Sequence, residues 1–255
     1  YRLTIKELIV ESKLTGKTVL ITEATRNFGK CLALAFASEG SNLMLVSRDN
    51  PNLLEQTSRE AQALGVQVAT SNCDLSSESQ VEDMVSHCVS QLGSVQVVVN
   101  NILFPLPQQS IAEIPFELWK RKIDVETTGS FLLFGKVLPQ MIEQKWGRVV
   151  NFTGLDAFTG GDVMSSTTEM SLVGLTRGIA REYGNYNITA NCIGPGGIEH
   201  GEAEGLHSVP PGQRDAIPRW GIPEEVAFLV VTLCSEGASY VTGQCLLANG
   251  GKHFL

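Results

Sequence analysis

Short apolar segments alternate with longer amphipathic segments along nearly the whole chain. Segments such as Lys17–Ile21 and Val95–Asn100 are too short and too apolar for surface helices, and they predict buried strands. Segments such as Ser77–Leu92 place apolar side chains at helical spacing and end at a glycine, which is typical of a helix C-terminus. The pattern therefore predicts strands and helices in regular alternation.

The alternation gives specific element boundaries. Strands are predicted at Lys17–Ile21, Asn42–Val46, Gln67–Thr70, Val95–Asn100, Arg148–Thr153, Ile188–Ile193 and Gln244–Ala248. Helices are predicted at Lys30–Glu39, Leu53–Leu64, Ser77–Leu92, Trp119–Lys145 (bent or broken near Gly129), Ser171–Tyr183 and Pro223–Cys234. The segment Gly194–Trp220 is rich in glycine and proline and predicts a long surface loop.

Strands this short and apolar are buried on both faces, which is typical of a parallel sheet between two helix layers. Right-handed crossovers then give a doubly wound, Rossmann-type α/β sheet. We find no linker and no internal repeat, so we expect a single domain over residues 15–255. Residues 1–14 precede the first strand and are expected to form a short amphipathic extension packed on the domain.

Composition narrows the possible partners. The net charge of −8 without a basic stripe argues against nucleic acid, and no apolar run is long enough to span a membrane. The six cysteines include no C-x-x-C pair, which favours reduced thiols in a cytoplasm or organelle matrix rather than a secreted protein. The chain opens at Tyr1 rather than methionine, so a leader removed before that residue stays possible.

A series of short motifs follows the predicted elements in a fixed order. They are Asp74-Leu75, Asn100-Asn101, Gly147–Asn151, Gly174–Arg177, Pro195-Gly196, Pro223–Glu225, Tyr240–Gln244 and Asn249–Gly251. In that order they resemble the short-chain dehydrogenase/reductase family over nearly the whole chain. The resemblance implies a nicotinamide cofactor, an Asn-Ser-Tyr-Lys catalytic tetrad and a homo-oligomeric assembly.

The turn after the first strand departs from the family pattern. The family has T-G-x-x-x-G-x-G there, whereas this chain has Thr22–Gly29 with only the last glycine retained. Glu23 takes the first glycine position, and its carboxylate would repel a cofactor pyrophosphate by several kcal/mol, roughly. Asn27 takes the second position, where it tolerates a positive φ but crowds the phosphates. We therefore expect weakened cofactor binding.

The other positions at which the family contacts its cofactor match the family pattern only in part. Ser47-Arg48 resembles the pattern that favours a 2′-phosphate, and Asp74 fits the adenine-contacting position, but Ile102-Leu103 replaces two small residues that admit the cofactor. His200 stands where the family often has a threonine near the nicotinamide. We expect no cofactor, or NADP if any binds. The candidate contacts are then Thr22, Arg26, Phe28, Arg48, Asp74 and Asn100.

The tetrad positions are located by counting back from the Gly-Leu-Thr-Arg motif. The tyrosine and lysine fall on Ser165 and Glu169, the serine on Gly154 with Thr153 beside it, and the asparagine on Glu126. An aliphatic hydroxyl is a far weaker acid than a phenol, and a glutamate opposes its ionisation. The candidate catalytic residues Glu126, Thr153, Ser165 and Glu169 are therefore degenerate forms of the family's tetrad.

The changed residues suggest an acidic cleft. Glu126 and Glu169 are expected to be neighbours, and a close carboxylate pair shares a proton or binds a cation. One hypothesis is a non-redox lyase, isomerase or cyclase that uses Glu126 and Glu169. A divalent metal held by Glu126, Glu169 and His200 is a further alternative, but we expect no metal.

Three functions therefore compete. The first is a pseudoenzyme that acts as a structural or regulatory subunit, either as a homo-oligomer (dimer or tetramer) or with an active relative or larger complex. Apolar segments where the family assembles, Trp119–Lys145, Ser171–Tyr183 and Tyr240–Leu255, favour an oligomer. The second is an NADP(H)-dependent oxidoreductase with an atypical active site, and the third is the non-redox enzyme.

Overall fold

The structure, a computed structural model, describes residues 12–102, 104, 109–199 and 216–255, and Asn27 by its backbone alone. Strands and helices alternate as the sequence predicts. The strands are β1 (Thr18–Ile21), β2 (Asn42–Ser47), β3 (Val68–Asn72), β4 (Val97–Asn100), β5 (Gly147–Phe152), β6 (Ile188–Pro195) and β7 (Cys245–Ala248). The α-helices are α1 (Asn27–Ser38), α2 (Pro51–Gln62), α3 (Glu78–Leu92), α4 (Phe116–Lys122), α5 (Gly129–Gln144), α6 (Asp156–Thr159), α7 (Val163–Tyr183) and α8 (Pro223–Cys234).

The strands form one parallel sheet in the order β3-β2-β1-β4-β5-β6-β7. The chain winds outwards in one direction from β1 to β3 and in the other from β4 to β7. Val19 pairs with Leu43 on one side and with Val97 on the other, so β1 and β4 flank the point where the winding reverses. The predicted doubly wound, Rossmann-type fold is confirmed, and a ligand crevice is expected at the carboxyl ends of these strands.

Each face of the sheet carries its own apolar layer. Val19 and Ile21 pack with α1, α2 and α8 through residues such as Phe36. Leu20 points to the opposite face and packs with α3, α5 and α7 through residues such as Leu133. Successive side chains of a strand point to opposite faces, so a strand that is apolar at every position is buried on both.

The long predicted helix over Trp119–Lys145 is divided. A π-helical turn, Ile123–Thr128, separates α4 from α5, so the predicted break near Gly129 falls just ahead of that glycine. π-helical turns are often associated with functional sites, because the wider turn re-aims the side chains on it. Here the turn carries Glu126, one of the predicted site residues.

Helix α7 begins at Val163, well before the predicted start at Ser171. Its first turns are polar, so the apolar pattern does not reveal them. Asp162 supplies the start signal, since its side chain accepts hydrogen bonds from the backbone N–H groups of Met164 and Ser165. The earlier start places Ser165 and Glu169 on this helix.

The N-terminal extension and the long predicted loop are only partly described by the structure. Residues 1–11, and residues 200–215 of the predicted loop Gly194–Trp220, lie outside the described residues. Leu14 is fully buried in the core, and the carbonyl of Ser12 accepts a hydrogen bond from the N–H of Glu236. The boundary at residue 14 stays a prediction. No helix in the described ranges is long and apolar enough to cross a membrane.

Candidate active site

An apolar cavity of about 280 Å³ opens at the carboxyl ends of β4, β5 and β6. Phe28 from α1 meets Phe152 of β5 edge to face, with ring centroids 4.7 Å apart. Ile102 and Ile198 close the sides, and the carboxyl-bearing residues Glu126 and Glu169 line the same cavity. The structure thus brings two of the predicted catalytic residues to one apolar pocket beside the switch point, where this fold binds its ligands.

Glu169 is the titratable group of this cavity with an altered proton affinity. One of its carboxylate oxygens accepts a hydrogen bond of 3.0 Å from the backbone N–H of Ala157. Burial raises the pKa of Glu169 to about 7, and the negative charge of Asp156 adds to the effect, against the opposing influence of the Ala157 N–H and of Lys122. A carboxyl with a pKa of about 7 can both give and accept a proton at neutral pH.

Gly154 is the residue that makes room for this carboxyl. A Cβ atom on Gly154 would collide with the carboxylate of Glu169. Gly154 and Glu169, which the sequence predicts at the family's serine and lysine positions, are therefore linked sterically. The carboxylate of Glu169 occupies the space that a side chain at position 154 would fill.

We expect the stability of the protein to fall between about pH 5 and pH 8 because of Glu169. The folded chain holds this proton more tightly than the unfolded chain does. The contribution to stability is therefore complete below the ordinary glutamate pKa and is lost as the pH rises through about 7. Because the side chain is only half-buried, the expected loss in unfolding free energy is about 2 kcal/mol. Urea denaturation at a series of pH values measures it.

Two substitutions serve as controls for this pH dependence. Glu169→Gln removes the titrating group and should flatten the profile. Gly154→Ser should rotate the Glu169 side chain away, remove its hydrogen bond at a cost of about 1 kcal/mol, and return its pKa toward the ordinary value. A Gly154→Ser protein with an unchanged profile would show that the two residues do not compete for the same space.

Glu126 forms a buried ion pair that the sequence analysis missed. Its carboxylate lies 2.8 Å from the ammonium of Lys122, and the two side chains are 3% and 4% exposed. The same oxygen accepts the backbone N–H of Phe104 at 2.7 Å. Glu126 therefore bonds Lys122, so the cleft is not purely acidic, and the charge of Glu126 is a further influence that raises the pKa of Glu169. The spacing of the pair, i to i+4 across helical turns, is the signal that could have found it.

The two predicted hydroxyl residues have structural partners. Thr153 lines the cavity, but its hydroxyl donates to the backbone carbonyl of Glu169 at 2.9 Å. Ser165 lies in the first turn of α7, where its backbone N–H and its side chain bond Asp162. Thr167, two residues before Glu169 on the same helix, is exposed and donates to the carbonyl of Val163. None of these hydroxyls is placed as a proton donor in the cavity.

The turn Thr22–Gly29, which would face the cofactor phosphates and is called the phosphate turn below, departs from the expected geometry in one respect. Glu23 has a φ of 49°, in the left-handed region that favours glycine. Asn27 begins helix α1, so the positive φ of this turn falls on Glu23 and not on Asn27. Burial raises the pKa of Glu23, opposed by the charge of the neighbouring Arg48. A Cβ on Gly29 would collide with the carbonyl of Glu23, which explains why this last glycine is kept.

The predicted adenosine contacts lie at the ends of β2 and β3 and are already paired. Arg48 donates a hydrogen bond to Asp49 at 2.7 Å, and Asp74 accepts one from Arg121 at 2.6 Å. Arg121 was not predicted. The ring of Phe104 lies against both guanidinium groups, 5.3 Å from the central carbon of Arg48 and 5.8 Å from that of Arg121.

The remaining predicted contacts have mostly structural roles. Asn100 is fully buried and donates to Ser130 and Asn151, at 2.8 and 2.9 Å. The hydroxyl of Thr22 is buried and accepts the N–H of Asn101 at 2.8 Å, which ties β1 to β4. Arg26 is exposed and donates to Asn50. These three residues do not line the cavity, whereas Phe28 does.

Metal binding gains no support from the geometry. Within the described ranges, no three His, Cys, Asp or Glu side chains come together as a metal-binding group. His200, the third ligand of the alternative we considered, lies outside the described residues. The six cysteines, all within the described ranges, are unpaired.

A doubly wound parallel sheet with an apolar crevice beside its switch point defines the class of Rossmann-type α/β proteins. Residues 24–253 match the family model described as "Enoyl-(Acyl carrier protein) reductase". The chain belongs to the short-chain dehydrogenase/reductase family. It is 33% identical to the 3-oxoacyl-(acyl-carrier-protein) reductase FabG of Aquifex aeolicus, over 95% of this chain and 99% of the relative. It is 31% identical to the Staphylococcus epidermidis FabG, over 93% and 99%.

Solved structures of dehydrogenases and reductases superimpose on this chain over most of its length. Levodione reductase superimposes with a TM-score of 0.87 at 29% identity, covering 94% of this chain and 98% of the other. Acetoin dehydrogenase YohF from Salmonella typhimurium gives 0.83 at 30% identity, covering 92% and 96%. NAD+-bound xylitol dehydrogenase gives 0.84 at 25% identity, covering 94% and 100%.

Proposed function

We propose that this chain is an NADP(H)-dependent oxidoreductase with an atypical active site, in which the carboxyl of Glu169 replaces the family's tyrosine as proton donor. The observation that carries the proposal is a carboxyl with a pKa of about 7 in an apolar cavity at the ends of β4, β5 and β6. The reductases and dehydrogenases among the similar proteins support the reaction class. A carbonyl compound and the corresponding alcohol are the expected substrate and product.

The residues present fit the nicotinamide end of a cofactor. At the phosphate turn, the carboxyl of Glu23 opposes the binding of its phosphates. Phe28, Ile102 and Ile198 give the apolar walls that a nicotinamide ring needs, and Gly29 keeps the close turn into α1. Glu23 places a buried carboxyl in the phosphate turn. Arg48 provides the positive charge that favours a 2′-phosphate, which is the reason for proposing NADP(H) over NAD(H).

A bound nicotinamide supplies the hydride in this family's chemistry. The chain's own part is to hold the substrate oxygen near Glu169 and to protonate it as the carbonyl becomes an alcohol. The apolar walls exclude water and raise the pKa of Glu169 to about 7, so a large share of this carboxyl holds its proton at neutral pH. Asp156 then assists, because its charge helps to raise the pKa of Glu169.

Two measurements test the proposal. Calorimetric titration with NADPH and NADH should show binding, tighter for NADPH. Oxidation of NADPH in the presence of a panel of ketones, acetoacetyl thioesters and diones should show turnover with at least one of them. Binding without any turnover over the panel would favour a regulatory role, and no binding of either cofactor would contradict the proposed function.

We expect Glu23→Gly to increase the affinity for NADPH by about tenfold or more, since it removes both a charge and an unfavourable φ from the phosphate turn. The affinity of the unchanged protein should rise as the pH falls, because protonation of Glu23 removes the same repulsion. Calorimetry over a pH series measures both effects. Glu23→Gln removes the charge but keeps the strained backbone, so it should bind NADPH at all pH values as the unchanged protein does at low pH, and any further gain in Glu23→Gly measures the strain.

A catalytically silent subunit is the second candidate function. Glu23 in the phosphate turn favours it, as does the structural pairing of Thr153 and Ser165. Large apolar side chains stand exposed where the family assembles, such as Phe131 on α5 and Tyr240 near β7, which supports a homo-oligomer or an assembly with an active relative. The third candidate, a non-redox enzyme using Glu126 with Glu169, is less favoured because Glu126 is paired with Lys122.

A further inference from the structure

The topology separates the two halves of the proposed cofactor site. In a doubly wound fold the first half of the sheet binds the adenosine part, with the ribose at the end of β2. Here that end carries Arg48, and Asp74 follows β3 next to it. The apolar cavity with Glu169 lies on the other side of the switch point, at β4 to β6. The groove over β2 and β3 is therefore the place for an adenine.

The ring of Phe104 lies over this first half, although Phe104 follows β4 in the chain. Its centroid is 5.3 Å from the guanidinium carbon of Arg48 and 5.8 Å from that of Arg121. Arg121 in turn is bonded to Asp74 at 2.6 Å. An aromatic ring therefore stands against two guanidinium groups, at the ends of two strands where the fold places an adenine. Guanidinium groups stack on the faces of aromatic rings, whether the ring is a phenylalanine side chain or an adenine base.

The position of Phe104 is fixed by the protein interior rather than by surface packing alone. Its backbone N–H donates to Glu126 at 2.7 Å, and its carbonyl accepts from Lys122 at 3.1 Å. Both partners belong to the ion pair that is nearly fully buried. The ring also packs against the apolar layer on the α3 and α5 side of the sheet. Its place over the groove is thus built by several contacts.

We propose that Phe104 occupies the adenine site, and that the adenine of the cofactor must displace it and then stack on Arg48 and Arg121. This inference rests on the proposed cofactor binding and deepens it. It assigns Arg121 as a cofactor-binding residue beside the expected Arg48. It also assigns Phe104 as an internal competitor that lowers the affinity of the resting protein for the cofactor.

The test compares NADPH binding to the full chain and to variants by calorimetry. Phe104→Ala should bind NADPH about tenfold more tightly than the unchanged protein, because the competing ring is gone. Phe104→Leu keeps an apolar side chain for folding and should show the same direction of change. Phe116→Ala removes a neighbouring exposed aromatic ring on α4 and should change nothing. Circular dichroism confirms that each variant is folded.

A second pair of variants tests Arg121. Arg121→Lys keeps the charge beside Asp74 but loses the flat guanidinium, so it should weaken NADPH binding about fivefold or more in the Phe104→Ala protein. A ligand with the same adenosine end, adenosine 2′,5′-bisphosphate, should respond to all these substitutions as NADPH does. A response confined to NADPH would place the effect at the nicotinamide end and overturn the proposal.

Each outcome decides the inference. If the unchanged protein binds NADPH and Phe104→Ala binds it no better, the inference is wrong while the proposed function stands. If only Phe104→Ala and Phe104→Leu bind, the inference holds and the proposed function of the unchanged protein is contradicted. If no variant binds, both the inference and the proposed cofactor are overturned. Tighter binding without turnover of any carbonyl compound supports the inference and contradicts only the proposed reaction.

Discussion

Glu169→Gln is expected to reduce the rate of carbonyl reduction by about 10²- to 10⁴-fold, the usual contribution of a positioned general acid. Glutamine keeps the shape of the side chain and cannot donate the proton that the developing alkoxide needs. The affinity for NADPH should change little, because glutamine keeps the size and polarity of the side chain that lines the nicotinamide end of the crevice. Steady-state kinetics should show the loss in kcat rather than in the KM for the cofactor.

The pH dependence gives an independent check of the same role. The pKa of Glu169 is raised to about 7, and the carboxyl must be protonated to act as the acid. The kcat for reduction should therefore be maximal below about pH 7 and fall as the pH rises above it, while the reverse oxidation rises over the same range. Thr167→Ala is the matched control, since this exposed hydroxyl lies on the same helix and bonds the carbonyl of Val163. A full reduction rate in Glu169→Gln would rule Glu169 out as the acid.

The alternation of apolar and amphipathic segments predicts the fold because the five inner strands, β1, β2, β4, β5 and β6, are buried on both faces. Helix α8 over Pro223–Cys234 agrees residue by residue, since a proline marks its start. Helix α7 is longer than predicted because its first turns are polar and its start depends on Asp162, a capping contact that apolar periodicity does not register. The spacing of apolar residues does not reveal the π-helical turn at Ile123–Thr128 either.

The sequence predicts where the candidate site lies but not which side chains pair with one another there. The motifs place Glu126 and Glu169 at one cavity, as the structure does. What the sequence left out are the partners that come from elsewhere in the chain. Lys122 converts an expected carboxylate pair into an ion pair, and Phe104 reaches from the end of β4 to the ends of β2 and β3. Such contacts depend on loop paths and side-chain rotamers, which spacing alone does not determine.

Lys122→Met is expected to lower the free energy of unfolding by about 3–5 kcal/mol. The substitution leaves the carboxylate of Glu126 buried without its counter-charge, and it removes the hydrogen bond from Lys122 to the carbonyl of Phe104. Methionine fills most of the space of the lysine stem, so the loss comes mainly from the uncompensated charge. Urea denaturation at neutral pH measures the change.

The double variant Lys122→Met with Glu126→Met separates charge from packing. A buried ion pair replaced by two apolar side chains of similar volume is often neutral or stabilising, so the double variant should recover most of the lost stability. Lys122→Met alone should also be less destabilised at low pH, because an unpaired buried carboxyl gains stability when it takes up a proton. A single variant that loses less than about 1 kcal/mol would mean that water reaches Glu126. The ion pair would then contribute little to holding the backbone of Phe104 in place.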